Sequence, residues 1–361
     1  MKTNYVIFAA LGVLALTAVS CINKEWGGKE VDAGGDIPIE QEPVVVPSND
    51  ILDFKPNEIL NVDKEGNLSL HVEAKGQATV KTALTPGVPA EIPGELEMIP
   101  EEEDLPDFCA AESGARLSSA CVILELSNPS PNPVTFKGEI HALDNSCAFP
   151  PLVAPANKKD YKVALALNRD ALEDRVDLDE IITVGDDVAE VINHISSDNG
   201  LVVKNLSVER EGTRAIATAD EEVYEFSVGA IYHAPLWFPA GTELKFDIDF
   251  TGQLIDVSEY NVTVNDYQLE ADVTNTIPFN INGTGTSTNG VTAALNTPIL
   301  AGDTNQPVTT KVLIHIKSTS DVMNLEGAVL HLVLTTDKNV KVNKNQKLDI
   351  DMKSIKFSQK K

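Results

Sequence analysis

Short runs in which apolar and polar residues alternate constrain this chain more than any other feature. In Tyr224–Tyr232 the even positions are apolar or aromatic, and in Lys311–Lys317 the residues Val312, Ile314 and Ile316 share one parity. Leu330, Leu332 and Leu334 repeat the pattern within Ala328–Leu334. Successive side chains of a strand point to opposite faces, so each run predicts a strand with one buried face. Leu348–Met352 alternates too, but Ile355 and Phe357 fall on the other parity, and a bulge near Lys353-Ser354 would restore the facing. Many such runs separated by Gly, Pro and Asn turns predict a mainly β protein of antiparallel sheets packed as immunoglobulin-like sandwiches.

Helical periodicity is confined to one place. Within Leu178–Ile195, the residues Ile181, Ile182, Val188, Val191, Ile192 and Ile195 fit a helix starting near Asp186. Asp186 or Asp187 is the expected N-cap, and Gly200 lies just past the end.

The chain also echoes itself. Leu124-Glu125-Leu126-Ser127-Asn128-Pro129-Ser130-Pro131, followed by Val134–Gly138, parallels Ala271-Asp272-Val273-Thr274-Asn275-Thr276-Ile277-Pro278, followed by Phe279–Gly283. In both, a strand ends at Asn, Pro follows three residues later, and a new strand begins. Asn bonds local backbone at a turn, and Pro fixes φ while withholding an N–H from the ladder. Upstream, Asn67–Leu70 parallels Asn261–Val264. The expected organisation is two related sandwich domains at 50–165 and 220–358, with 166–219 as a helix-containing connector. Strand–turn–strand units resemble one another in unrelated proteins, so the echo is also compatible with no duplication.

The N-terminus addresses the chain to the envelope. Lys2 precedes an apolar run from Val6 to Val19, shorter than the roughly 20 residues a spanning helix needs, which reads as a signal peptide over 1–20. Ala18-Val19-Ser20-Cys21 resembles a bacterial lipobox, with Ala18 where Leu is usual, making Cys21 the lipidated mature N-terminus; Ala18-x-Ser20 is equally an ordinary cleavage site. Residues 21–49 are rich in Gly, Pro and acidic residues without period, as expected of a flexible stalk reaching about 30 Å. Lys24-Glu25 is a short charged tag of the kind that accompanies surface export of Bacteroidetes lipoproteins.

The net charge of −27 over 361 residues argues against nucleic acid, because a phosphate backbone demands a basic face. Glu101–Asp104, between Pro100 and Pro106, reads as a solvated loop. Apart from Cys21 the cysteines are Cys109, Cys121 and Cys147. Cys121 opens an apolar strand as a buried thiol would, and Cys109–Cys147 is the expected disulfide.

Chemistry-bearing motifs are sparse. No G-x-S-x-G, H-E-x-x-H or phosphate-binding glycine loop occurs, and the histidines are scattered. No cofactor or catalytic residue is expected. His315 and His331 read as partly exposed strand residues rather than a metal pair. Asp177-x-Asp179-Glu180 and Gly185-Asp186-Asp187 have calcium-type oxygens, but neither fits the twelve-residue calcium loop. Aromatics are 5% of the chain. Tyr224, Phe226 and Tyr232 share one parity and belong in a core, whereas Trp237, at a turn, is the expected ligand contact.

Ala234-Pro235-Leu236-Trp237-Phe238, Val273–Pro278 and the alternating C-terminal strands resemble Bacteroidetes cell-envelope lipoproteins that have no assigned activity. The resemblance implies a lipid-anchored outer-membrane protein at the cell surface. Its expected role is a non-enzymatic binding or adhesion module for a glycan, a host protein or an envelope partner. The alternatives are a carboxylate-dependent hydrolase and a structural subunit of a surface assembly. Cys21→Ala is expected to move the mature protein from the detergent phase to the aqueous phase on phase partitioning, because acyl chains supply the membrane affinity.

Overall fold

The computed structural model describes residues 36–38, 43–48, 60–99, 117–142, 145–169, 172, 177–193, 200–212, 222–249, 266–286, 290–318 and 329–358. In chain order the strands begin with β1 (Asp36–Pro38), β2 (Val44–Pro47), β3 (Leu60–Val62), β4 (Leu68–Glu73), β5 (Ala78–Thr82) and β6 (Ala90–Glu91). Next come β7 (Leu96–Met98), β8 (Cys121–Asn128), β9 (Val134–Ala142), β10 (Asn145–Ala148), β11 (Leu152–Ala154) and β12 (Lys158–Ala166). Then follow β13 (Glu180–Thr183), helix α1 (Asp186–Ile192), β14 (Leu201–Arg210), β15 (Tyr224–Pro235) and β16 (Trp237–Phe238). The last are β17 (Glu243–Asp249), β18 (Asp266–Asn275), β19 (Asn280–Thr286), β20 (Val291–Leu295), β21 (Val308–Ser318), β22 (Val329–Thr335), β23 (Val340–Lys341) and β24 (Lys347–Ser358).

The chain forms two compact bodies. The first takes the described residues from 60 to 239; the second takes 36–48 together with those from 240 onward.

In the first body one sheet runs β13-β12-β8-β15-β4-β3 with β5 also on β15, and another runs β10-β9-β14-β6 with β11 on β9 and β7 on β14. β4 with β5, β6 with β7, and β10 with β11 each act as one interrupted strand. With β3 and β13 set aside as additions beyond β4 and β12, eight strand positions remain, ordered one-eight-three-six in one sheet and two-seven-four-five in the other. That is the order of a jelly roll, whereas an immunoglobulin sandwich pairs ABED against CFG. Leu70, Leu124, Phe136, Leu165, Val203, Phe226 and Tyr232 fill the space between the sheets with no exposed surface.

The second body is one nine-stranded sheet, β1-β24-β18-β21-β20-β19-β22-β17, with β2 also on β24. Counting β1 with β2 as position one, the order is one-eight-three-six-five-four-seven-two. This is the same jelly roll, made continuous because β20 bonds both β19 and β21. Leu269, Ala271, Val273, Ile314, Leu334, Leu348, Ile350 and Met352 are buried on one face. The register shift between Glu270 and Ala271, opposite Ser354 and Met352, leaves Lys353 as the bulged residue, where the parity change predicted one.

The sandwich class agrees with the sequence reading, but the domain limits fall elsewhere. Segment 166–219 is no connector: β14 within it pairs with β9 from Val202 to Arg210, inside the first body. β15, expected in the second domain, is central to the first, paired with β8 on one side and with β4 and β5 on the other. The stalk expected over 21–49 ends earlier, since β1 and β2 pair with β24, and Val46 and Ser48 are fully buried. The first body is therefore inserted between positions one and two of the second. Strand propensity is local, whereas the partner of a strand is chosen by packing across hundreds of residues, which explains all three differences.

Helix α1 starts where predicted, but its N-cap is Gly185, without a side-chain cap. Asp186 and Asp187 occupy the first turn, where their charge suits the positive end of the helix.

The internal echo is structural. Asn128 closes β8 with no exposed surface. Its amide nitrogen donates to the carbonyls of Asn132 (2.8 Å), Ala154 (3.2 Å) and Pro155 (2.8 Å), and its oxygen accepts from the Ser130 N–H (3.1 Å) and hydroxyl (2.7 Å). Asn275 closes β18, equally buried. Its nitrogen donates to the carbonyls of Phe279 (3.1 Å) and Leu300 (2.8 Å), and its oxygen accepts from the Ile277 N–H (2.7 Å). Two residues after each Asn, the Ser130 and Ile277 carbonyls accept from Asn157 and Gly302 respectively. Each hub thus ties the end of strand three to the turn into strand four and to the chain leading to strand six. A Cβ on Gly302 would lie 2.0 Å from the Asn275 carbonyl oxygen, so only glycine fits there.

Asn128→Leu and Asn275→Leu each strand buried carbonyls and are expected to cost about 3 kcal/mol. In scanning calorimetry, Asn128→Leu should lower the transition of the first body and Asn275→Leu that of the second. Equal shifts of one shared transition would show that the bodies unfold as a unit.

Candidate functional site

Cys21 and Cys109 lie outside the described residues. Cys147 sits on β10, half-buried, as a free thiol; the other half of the expected Cys109–Cys147 pair lies outside the described residues. Cys121 is a buried thiol as predicted: its Sγ lies 3.2 Å from the His233 carbonyl oxygen, and burial pushes its pKa far up, which makes it a poor nucleophile.

Trp237 is less open than its turn-like sequence context implied. It is half-buried in β16, and its carbonyl accepts from the Ser118 N–H (2.9 Å) and hydroxyl (3.1 Å). Ser119 Oγ donates to the Pro235 carbonyl at 2.6 Å, so residues 118–121 are laced to 233–237. Phe226 and Tyr232 are fully buried, confirming their place in the core.

His71 and His233 are cross-strand partners with ring centroids 5.9 Å apart, and Cys121 is the next residue along that row. Among the described residues no three His, Cys, Asp or Glu side chains are grouped to hold a metal ion. His315 on β21 and His331 on β22 are separated by β20 and β19. The outer face at the row's end is covered instead: Leu172, Leu178 and Ile181 pack with Cys121, Ile123, Ala164, Ala166 and Ile231.

The Asp177–Glu180 segment turns out to be a structural clamp. The Asp179 carboxylate accepts from the Lys162 backbone N–H at 2.9 Å and pairs with the Lys158 ammonium at 3.1 Å. The Asp179 N–H returns a bond to the Lys162 carbonyl at 3.0 Å, starting the parallel pairing of β13 with β12. These interactions, the Lys162 N–H foremost, hold the Asp179 carboxyl below its ordinary pKa.

Sequence reasoning missed the outer face of β9 and β14. Lys137, Glu139 and His141 alternate with the buried Phe136 and Ile140 and point outward. Lys137 pairs with Glu209 of β14 at 2.8 Å. The Glu139 carboxylate accepts from the Asn205 amide at 2.8 Å and contacts His141 Nε2 at 2.9 Å. The Asn205 amide, then His141, lower the Glu139 pKa. Asn205 has φ +54° at an irregularity of β14 between Lys204 and Ser207, a left-handed conformation that Asn tolerates. The outward parity of Lys137, Glu139 and His141 was legible in the sequence; the delivery of Asn205 to Glu139 by a bulge on another strand was not. The result is an ordered row of donors and acceptors on rigid strands, suited to binding polar groups.

No family model matches this chain, and no curated protein matches it. Among solved structures, a Parabacteroides distasonis protein described as a candidate secreted protein aligns over 90% of this chain and 99% of its own, with 14% identity and a TM-score of 0.52. That likeness establishes the fold across both bodies. Infectious bursal disease virus Gt strain (8% identity, 93% of this chain, 52% of that one, TM-score 0.22) scores much lower. So does the CBM22-1–CBM22-2 tandem domain of Paenibacillus barcinonensis Xyn10C (10% identity, 92% and 100%, TM-score 0.19). At such scores neither bears on this chain's fold or function.

Asp179→Asn retains an acceptor for the Lys162 N–H and removes only the charge. A carboxylate with a depressed folded pKa stabilises fully above its unfolded value, about 3.9, and the contribution is lost as pH falls through the folded value. Wild type is therefore expected to melt above Asp179→Asn at neutral pH, with the gap closing only below about pH 4. A gap that persisted to the acid limit would show that the charge is not its source.

Proposed function

We propose that this chain is a lipid-anchored bacterial envelope protein, displayed at the cell surface, that works as a non-enzymatic binding module. The observation that carries the proposal is the ordered polar row Lys137–Glu209 and Glu139–His141–Asn205, presented outward on a jelly-roll sheet. Side chains held by one another and by strands lose little entropy on binding, which favours recognition of a polyhydroxylated or amide-rich partner. A glycan is the ligand class that suits alternating donors and acceptors on a flat sheet; a host or envelope protein is the second. The signal peptide and the lipobox ending at Cys21 support the extracytoplasmic location. The fold likeness to a protein described as a candidate secreted protein accords with it.

Protease shaving of intact cells tests the display, with Cys21→Ala as the anchoring control. Rapid loss of the wild-type protein is expected, and protection until lysis would place it facing the periplasm. On a glycan array, Glu139→Gln together with Asn205→Ala is expected to weaken wild-type binding at least ten-fold, the size of one lost charge-assisted contact. Unchanged binding would remove this face from the proposal.

A further inference from the structure

The strand that fills position one of the second body reaches it from the far side of the inserted first body. Ser48 and its partner Asn343 are 295 residues apart in the chain, and β2 pairs with β24, the last strand described. The contact is specific. Val44 to Pro47 face Ile350 to Lys347, Val46 is fully buried, and the buried Ser48 donates its N–H to the Gln346 carbonyl (2.8 Å) and its hydroxyl to the Asn343 carbonyl (2.9 Å).

It is also narrow. Among the described side chains of this segment only Val46 and Ser48 are buried, and Val45 is half exposed. The strand receiving it does not depend on it. β24 pairs along its whole length with β18, from Asp266↔Ser358 to Asn275↔Leu348. The start of β24 is held independently by reciprocal bonds: Thr276 N–H and Oγ1 donate to the Lys347 carbonyl, and the Lys347 N–H donates to Thr276 Oγ1 at 2.7 Å.

We infer that residues 44–48 are a latch, which opens and closes as a local unit while both jelly rolls stay folded. Closed, β2 completes position one beside β1; open, it leaves β24 while β1 keeps its own pairing with Ser354–Lys356. Because the latch docks on β24, it closes only after the chain has been made and exported as far as that strand. An edge strand fastened by two buried side chains is the kind of element that opens below the global unfolding free energy.

Hydrogen exchange of the full mature chain, followed by mass spectrometry, tests this. In wild type, residues 44–48 are expected to exchange at least about ten-fold faster than 269–273, the core of β18. In Val46→Asp, which places a charge at a buried position, 44–48 should lose protection while 269–273 and 122–126 keep theirs. Ser48→Ala should give an intermediate rate at 44–48 alone. Exchange of 44–48 in step with 269–273 in wild type would overturn the latch, as would loss of protection at 269–273 in Val46→Asp, since position one would then be integral to the second jelly roll.

Discussion

A buried asparagine at the end of strand three organises each half of this molecule. Asn128 and Asn275 have no exposed surface, and each spends its side-chain amide on backbone groups of the turn into strand four and of the chain leading to strand six. Those segments follow different strands, so one side chain satisfies carbonyls on two separate stretches of backbone. Leaving them unpaired would cost more than the net worth of any single hydrogen bond, because the lost water contacts are not replaced. The strand order around both hubs is the same, and so are the bonds from Asn157 to Ser130 and from Gly302 to Ile277. Shared order and shared hub chemistry make the two bodies structural equivalents, strand for strand.

The two bodies are nested in chain order. Placing one unit between strands one and two of the other means that the second body draws its first strand from residues 36–48 and its last from 347–358. In this fold, strand one pairs with strand eight, so the two ends of the chain must meet to finish the outer edge of a sheet. The inserted body meets the same demand within residues 60–239, where β4 and β5 pair with β15.

Chemistry on this scaffold follows from where polar groups are left over once the fold is satisfied. Asp179 is committed to starting β13, Cys121 to the core, and the Trp237 backbone to Ser118. Among the outward-facing polar groups of the described residues is the β9–β14 row, in which Glu139 holds Asn205 and His141 in place. These groups stand on strands that cannot shift register without turning their buried set outward.

By itself the sequence determined the alternating strands near 224–232, 311–317, 328–334 and 348–357, the sandwich class, the bulge at Lys353, the burial of Cys121, Phe226 and Tyr232, and the likeness of the Asn128 and Asn275 segments. These follow from period-two patterning and from the turn chemistry of Asn and Pro, which act over a few residues. Only the tertiary structure decided that β14 and β15 belong to the first body, that residues 44–48 belong to the second, and that Asn205 meets Glu139. Those outcomes depend on which distant edge offers a matching apolar face and unpaired backbone groups, a choice made by the packed whole.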